Sequence, residues 1–226
     1  MGMTGRTMAM ASRREGGGGR ALPDRRALVL IGEDEIEEEP QIESALLQNF
    51  TIRDDRLAHG RIERSILDGV TLVGAEAGAL LMRSTLVAGS DFSAATLESA
   101  SLADCRFDGC KLAGSQLDRA ILQNVSFIEC RADLVRFQHA KLKRVRFERC
   151  QLRSAFFNGA TMPKTVFEAC DLSEADFSQA DTSGSDLRRS RIEGIRIGPD
   201  QLRGVIVTHD QALYLAGLLG LVVRDE

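Results

Sequence analysis

Residues 105–129 read CRFDG CKLAG SQLDR AILQN VSFIE, five blocks of five. The third place of each block is large and apolar: Phe107, Leu112, Leu117, Leu122, Phe127. The first place is small: Cys105, Cys110, Ser115, Ala120, Val125. Followed outward in both directions, the third-place column runs from Ile42 to Ile197 without one slip. It has 32 positions, and 29 of them are Ile, Leu, Val, Met or Phe; the exceptions are Ala77, Ala132 and Thr182. Those five types supply 67 of 226 residues, so chance would place only about 9 or 10 in the column, and the repeat is real. The small column holds all five cysteines of the chain.

A helix with a stripe every five residues would wind that stripe around its axis and bury nothing. A straight strand would send successive fifth residues to opposite faces. The backbone must therefore bend once per repeat. First and third places then face inward with one outward residue between them, and the last two places form a corner. Corner pairs such as Asp108-Gly109, Ala113-Gly114, Asn158-Gly159 and Ser183-Gly184 carry turn chemistry.

A longer period counts the sides. Phe107, Phe127, Phe147 and Phe167 are 20 apart, as are Phe137, Phe157 and Phe177, and Cys110, Cys130, Cys150 and Cys170. Twenty residues are four repeats, so the coil is four-sided. The two Phe columns are offset by ten, which places them on opposite walls where their rings can meet. Thirty-two repeats make about eight coils, a rod of about 38 Å at the strand spacing of ~4.8 Å. The expected fold is an all-β parallel solenoid, each coil stabilised by its neighbours.

The pattern resembles the pentapeptide repeat family, on Ser90-Asp91-Phe92, Cys170-Asp171-Leu172, Ala175-Asp176-Phe177, Ala180-Asp181-Thr182 and Ser185-Asp186-Leu187. The resemblance covers about 160 of the 226 residues. It implies a right-handed quadrilateral β-helix, and the chain resembles the loop-less quinolone-resistance type, though it is less acidic. The chain departs from the motif in its middle, where Arg106, Lys111, Arg131, Arg136, Lys141 and Arg146 stand in place of the usual Asp.

Three regions follow. Residues 1–39 are expected to be a disordered tail with an acidic linker, with Gly16–Gly19 as a flexible run and Glu33–Glu39 as a solvated block. The apolar patch Ala27–Ile31 could form a short strand. Residues 40–198 are the β-helix, whose first ordered coil begins between 40 and 65 because Asp55 and Gly60 fit the small column poorly. Residues 199–226 are a cap: Pro199 is expected to break the register, Val205–Val207 to form a strand, and a helix over Gln211–Leu219 to start at Thr208 or Asp210 and stop at Gly220. Leu221–Val223 is expected as a last short strand. This cap would cover the open edge of the final coil. The helix is apolar almost all round, so its outer face needs cover too. Either a second copy supplies it, through Leu213, Tyr214 and Leu218, as the family resemblance implies, or the tail strands of a monomer do.

Chemistry is sparse. Five cysteines with no Cys-x-x-Cys and no histidine beside them read as core thiols, not as a metal centre or a disulfide framework. His59, His139 and His209 are scattered without a nucleophile or carboxylate partner. No catalytic residue, cofactor or metal is expected, and the chain is read as a non-enzyme. No apolar run reaches the ~18 residues of a membrane span. Arg13-Arg14 are followed by Glu15 and four glycines, not by a signal-peptide core, so a cytoplasmic location is expected. The net charge of −4 makes nucleic acid an unlikely partner.

What remains is surface charge. Residues 40–198 hold 21 basic and 21 acidic side chains, far from the roughly 22 net negative charges of a 38 Å length of duplex. The charges are segregated, however. Residues 131–153 carry eight cations, among them Arg131, Arg136, Lys141 and Arg146. Residues 165–187 carry six acids, among them Asp171, Glu174, Asp176, Asp181 and Asp186, with no Lys or Arg. These nine named residues are the candidate partner surface. The first functional reading is a rigid interaction scaffold without catalysis. The alternative, implied by the family resemblance, is a DNA mimic that protects DNA gyrase and topoisomerase IV and so gives quinolone tolerance; joined C-terminal ends would then form one acidic band. A third reading has the basic ring binding phosphate-bearing polymers, with Glu33–Glu39 as an internal competitor.

Overall fold

The computed structural model describes residues 22–224. Within them the chain winds as a four-sided parallel β-solenoid. On the first wall, residues 41, 61, 81, 101, 121, 141, 161 and 181 pair in parallel one above the next, eight rungs separated by seven full turns. The second wall carries the longer continuous sheet, from Ala45–Gln48 to Val166–Glu168, with the Phe107, Phe127, Phe147 and Phe167 positions in direct register. The third and fourth walls are joined by single parallel bridges such as Asp91↔Lys111 and Arg136↔Phe156. Backbone groups bond from coil to coil, as in Phe137 N–H to the Phe156 carbonyl at 2.7 Å.

The bend has a definite backbone origin. The last place of each repeat lies in the left-handed region, at Asp104 (φ 55°), Asn124 (56°), Arg144 (55°) and Gly109 (61°), and this turns the chain onto the next wall. The outward places are then the second, fourth and fifth of each repeat, while first and third face the lumen. Phe127 and Phe147 stack at 4.9 Å and 7°, and Phe147 and Phe167 at 5.0 Å and 4°. Across the lumen Phe147 meets Phe157 edge-on at 6.2 Å and 79°. The opposite Phe columns thus fill the lumen with the offset and edge-to-face contacts aromatic rings favour.

The small column explains its own composition. Ser190 Oγ donates to the Phe167 carbonyl at 3.0 Å and accepts from the Cys170 N–H at 3.1 Å. The thiols of the same wall occupy the same place: Cys150 Sγ lies 3.3 Å from the Phe127 carbonyl and 3.4 Å from that of Glu148. A small polarizable group fits beside each corner, and all five thiols are free and buried.

Both ends differ from expectation. Of the disordered tail expected over residues 1–39, residues 1–21 lie outside the described residues, and residues 22–39 are structured. Strand β1 (Val29–Ile31) pairs in parallel with Ala45–Leu47, over the open edge of the second wall. The acidic block is no free linker: Ile36 is buried, the Arg56 guanidinium donates to its carbonyl, and the Glu35 carboxylate accepts from the Gly32 N–H at 2.8 Å. An uncovered edge is a site of aggregation, which accounts for the strand. The first coil begins at Gln41, and after the corner at Asp54 the first-place residue Asp55 is exposed instead of facing the lumen.

At the other end Pro199 does not break the register. Leu202 and Val207 continue the fifth-residue column and pack on the core, and Ile206 pairs with Asp186, 20 residues earlier. Helix α1 (His209–Leu218) starts at Thr208, whose hydroxyl accepts from the Gln211 N–H while the Gln211 side chain returns the bond. The Gln211 amide also donates to the Leu187 and Ser190 carbonyls, both at 2.8 Å, so the cap satisfies the last coil's open acceptors. Gly220, at φ 83°, follows the helix. The strand expected over Leu221–Val223 is not formed: the Leu221 N–H bonds back to the Ala216 carbonyl, which turns the chain off the coil.

Candidate interaction surface

The outward rows decide what the rod shows to a partner. Residues one coil apart are neighbours in the sequence-plus-20 sense, so each charged group meets the groups above and below it. The expected acidic band is threaded by arginines from both sides. Asp171 lies 3.7 Å from Arg191, and Asp176 3.7 Å from Arg196. Glu174 is held by Arg153 at 2.5 Å, and Asp186 by Arg188 at 2.8 Å. Glu168 is taken by Arg146 and lies 3.5 Å from Arg189. Of the five acids named above, only Asp181 has no cation partner among the described residues; it accepts from Ser183 instead.

These contacts set the protonation chemistry. The Arg188 side chain, through its hydrogen bonds, holds the Asp186 carboxyl below its ordinary value of 3.8. Arg153 does the same for Glu174. At Asp171 and Asp176 partial burial pushes upward, but bonds from Ser173 and Ser178 outweigh it and the net shift is downward. The band stays ionised yet largely compensated.

The cations sort differently. Arg136 is paired to Asp118 at 2.6 Å, and Arg146 to Glu168 and Glu148. Arg131 and Lys141 have no ion pair among the described residues, but they lie on opposite walls, the third and the first. Lys141 is joined on the first wall by Lys143 and Arg144 from the same rung and by Lys164 from the corner one coil on; all four are exposed. None of the four forms an ion pair among the described residues. The Arg144 Nε donates to Asn124 Oδ1 at 2.6 Å, and the Asn124 amide donates to Asp104 at 2.7 Å, which holds the guanidinium at the corner. Lys143 and Arg144 are among the eight cations counted over residues 131–153 but are not placed in the candidate partner surface, and Lys164 is not named from the sequence. The signal was present: second, fourth and fifth places of one repeat are all basic, and Lys164 stands 20 after Arg144.

Of the residues expected at a dimer contact, Leu213 and Leu218 are exposed at 43% and 47%. Tyr214 is tied to its own rod, its hydroxyl accepting from the Gly194 N–H at 2.6 Å. Leu219, Leu221, Val222 and Val223 extend the same apolar end. The thiols lie away from all surfaces; burial pushes Cys105 up to about 12, and the neighbouring thiols Cys110 and Cys150, with burial, push Cys130 up as well. No described helix is long and apolar enough to cross a membrane, and no described cluster of three His, Cys, Asp or Glu suits a metal ion.

Comparison with known proteins gives a consistent picture. A family model described as a pentapeptide repeat region matches residues 100–177, and one described as pentapeptide repeats (8 copies) matches residues 170–194. No curated protein matches the chain. Among solved structures, full-length QnrB1, a plasmid-mediated fluoroquinolone resistance protein, is 20% identical over 80% of this chain and 99% of its own, with a TM-score of 0.43. HetL, a pentapeptide repeat protein involved in heterocyst differentiation regulation from the cyanobacterium Nostoc sp. strain PCC 7120, is 15% identical over 75% of this chain and 87% of its own, with a TM-score of 0.32. A pentapeptide repeat protein from the Arabidopsis thaliana thylakoid lumen is 19% identical over 73% and 75%, with a TM-score of 0.20.

Proposed function

Because this chain belongs to the pentapeptide-repeat family, we propose that it is a non-enzymatic interaction scaffold that binds a protein partner through its rigid outer walls. One observation carries this reading. The lumen is packed from end to end with side chains, among them Phe107, Phe127, Phe147 and Phe167 at 2% exposure or less, so the molecule's chemistry lies in its outward rows. Ligand sites are usually concave and partly apolar, and a filled coil supplies flat walls instead. Affinity capture with the intact chain, followed by reconstitution with the purified partner, is expected to give a saturable complex. Turnover of a small-molecule substrate by the purified chain alone would overturn the proposal.

The DNA-mimic alternative makes a separate demand: an uncompensated acidic surface. With Asp171, Glu174, Asp176 and Asp186 paired to arginines, that demand is poorly met. The purified chain at micromolar concentration is expected to leave gyrase supercoiling unchanged with and without a quinolone; protection from the drug would establish the alternative. We further propose that a second copy covers Leu213, Leu218 and the apolar end of the chain beyond them. A solution mass of two chains is the expected result, and a monomer at high concentration would sink that arrangement.

A further inference from the structure

We propose that the first wall, at Lys141, Lys143, Arg144 and Lys164, is a docking site for an extended acidic peptide segment of the partner. The inference rests on the scaffold reading above and names the chemistry of its partner. Elsewhere on the rod charge is compensated across coils: Lys111 with Asp91, Arg149 with Glu129 and Arg153 with Glu174. Single cations such as Arg131 also lack a partner, but these four gather on one wall, exposed and without an ion pair among the described residues. The rungs directly below and above Lys141, Lys143 and Arg144 offer Ile121, Gln123 and Asn124, then Thr161 and Pro163, so no carboxylate of the wall adjoins that rung. The nearest acids on this wall are Asp104, two coils below Arg144 and bonded to Asn124, and Asp181, on the rung above that of Lys164 and bonded to Ser183.

The spacing selects the ligand. Lys141 and Lys143 flank the buried Leu142 on one strand, so both point outward about 6.7 Å apart. Alternate side chains of an extended peptide repeat at the same distance, so carboxylates at every second residue register with the two lysines. Arg144, fixed by Asn124, and Lys164, one rung of ~4.8 Å above it, close one end of the row with a guanidinium suited to bidentate carboxylate binding. Ile121, half exposed directly beneath Lys141, offers one apolar contact beside the charges.

A nucleic acid fits this wall less well. Single-stranded nucleic acids are held by a basic groove with stacking aromatics, and no outward row of this wall carries an aromatic side chain. A long polyanion would also run from the cluster over the acidic first coil and β1 end, where Glu33, Asp34, Glu35, Glu37, Glu38, Glu39 and Glu43 gather.

The test is fluorescence anisotropy on the full chain, with a labelled peptide alternating Glu and Ser as the probe. Saturable binding that weakens as salt rises is expected, because exposed charges are screened. The Lys141→Glu/Lys143→Glu double variant should bind about tenfold more weakly or worse, from two reversed exposed ion pairs. Arg53→Glu, an exposed cation on the opposite wall, should bind as the parent does. The Gln–Ser peptide should not bind. Equal affinity of the double variant and the parent, or tighter binding of a single-stranded oligonucleotide of equal charge, would overturn the proposal; an unchanged circular dichroism spectrum shows that the double variant keeps its fold. If the reconstituted partner complex survives the double variant intact, this site fails while the scaffold reading stands. If no partner complex forms with the parent chain, the scaffold reading fails first.

Discussion

The middle coils and the first coil are built on one repeat but differ in how they are held. Between residues 100 and 180 every small-column place is buried, and two Phe columns interlock across the lumen. The coil that begins at Gln41 has no Phe in its lumen, carries the larger Phe50 half-buried in the small column, and lets Asp55 swing out to solvent. It compensates with parts the middle does not need: β1 along one edge, and Pro40 packed against Gly60. A solenoid's interior coils have neighbours on both sides, and its end coils must find a substitute for the missing one. Regularity therefore carries the middle, and particular contacts carry the end.

The sharpest way to break this contrast is to cut the Phe column. Phe147→Ala removes a ring stacked on both Phe127 and Phe167, and it should cost about 3–5 kcal/mol in denaturant unfolding. A loss below about 1 kcal/mol would mean the lumen is not close-packed. The first coil should respond to a smaller insult. A Cβ on Gly60 would meet Pro40 Cδ at 2.8 Å and the Leu57 carbonyl oxygen at 3.2 Å. Gly60→Ala is expected to cost about 1–3 kcal/mol, and hydrogen exchange should show faster opening confined to the first coil. A global loss of protection would show that the end and the middle unfold as one unit.

Thr165→Val runs in the opposite direction. Its hydroxyl is buried without a partner, while Val145 and Val125 hold the same place one and two coils below. The substitution should stabilise the middle by about 1 kcal/mol, read as a higher denaturant midpoint. Acid is the mildest probe. Asp171, Asp176 and Asp186 have carboxyls lowered by folding, so their contribution is complete above the ordinary value of 3.8 and is lost as pH falls through the depressed folded values. The C-terminal coils should loosen below about pH 4, and Asp186→Asn should flatten that dependence.

The fold was legible because a lumen residue has no freedom: each fifth place must be apolar whatever its neighbours are, so the column shows in the sequence as a count. The caps were less so. Pro199 occupies an outward corner, where a different turn is tolerated, and the column continues through Leu202 and Val207 beneath it. The strand Val29–Ile31 was visible only as an apolar patch because it repeats nothing. The surface was misjudged for a different reason. Charges were weighed in runs along the chain, where residues 165–187 look purely acidic, whereas on the rod a residue's neighbour is 20 away. Arg191 and Arg196 sit directly above Asp171 and Asp176. Read down the columns instead of along the chain, the same sequence shows Lys141, Lys143, Arg144 and Lys164 as the group left over.

The left-handed corners have an engineering consequence. Leu134, Arg119 and Lys164 are among the non-glycine residues that adopt φ near 60° there, a conformation that disfavours most side chains by about 1–2 kcal/mol. Each such corner is a small reserve of unused durability, reachable from the solvent without disturbing the lumen. Introducing Gly or Asn at successive corners would therefore give a graded series of rods, alike in shape and differing in how much heat they withstand.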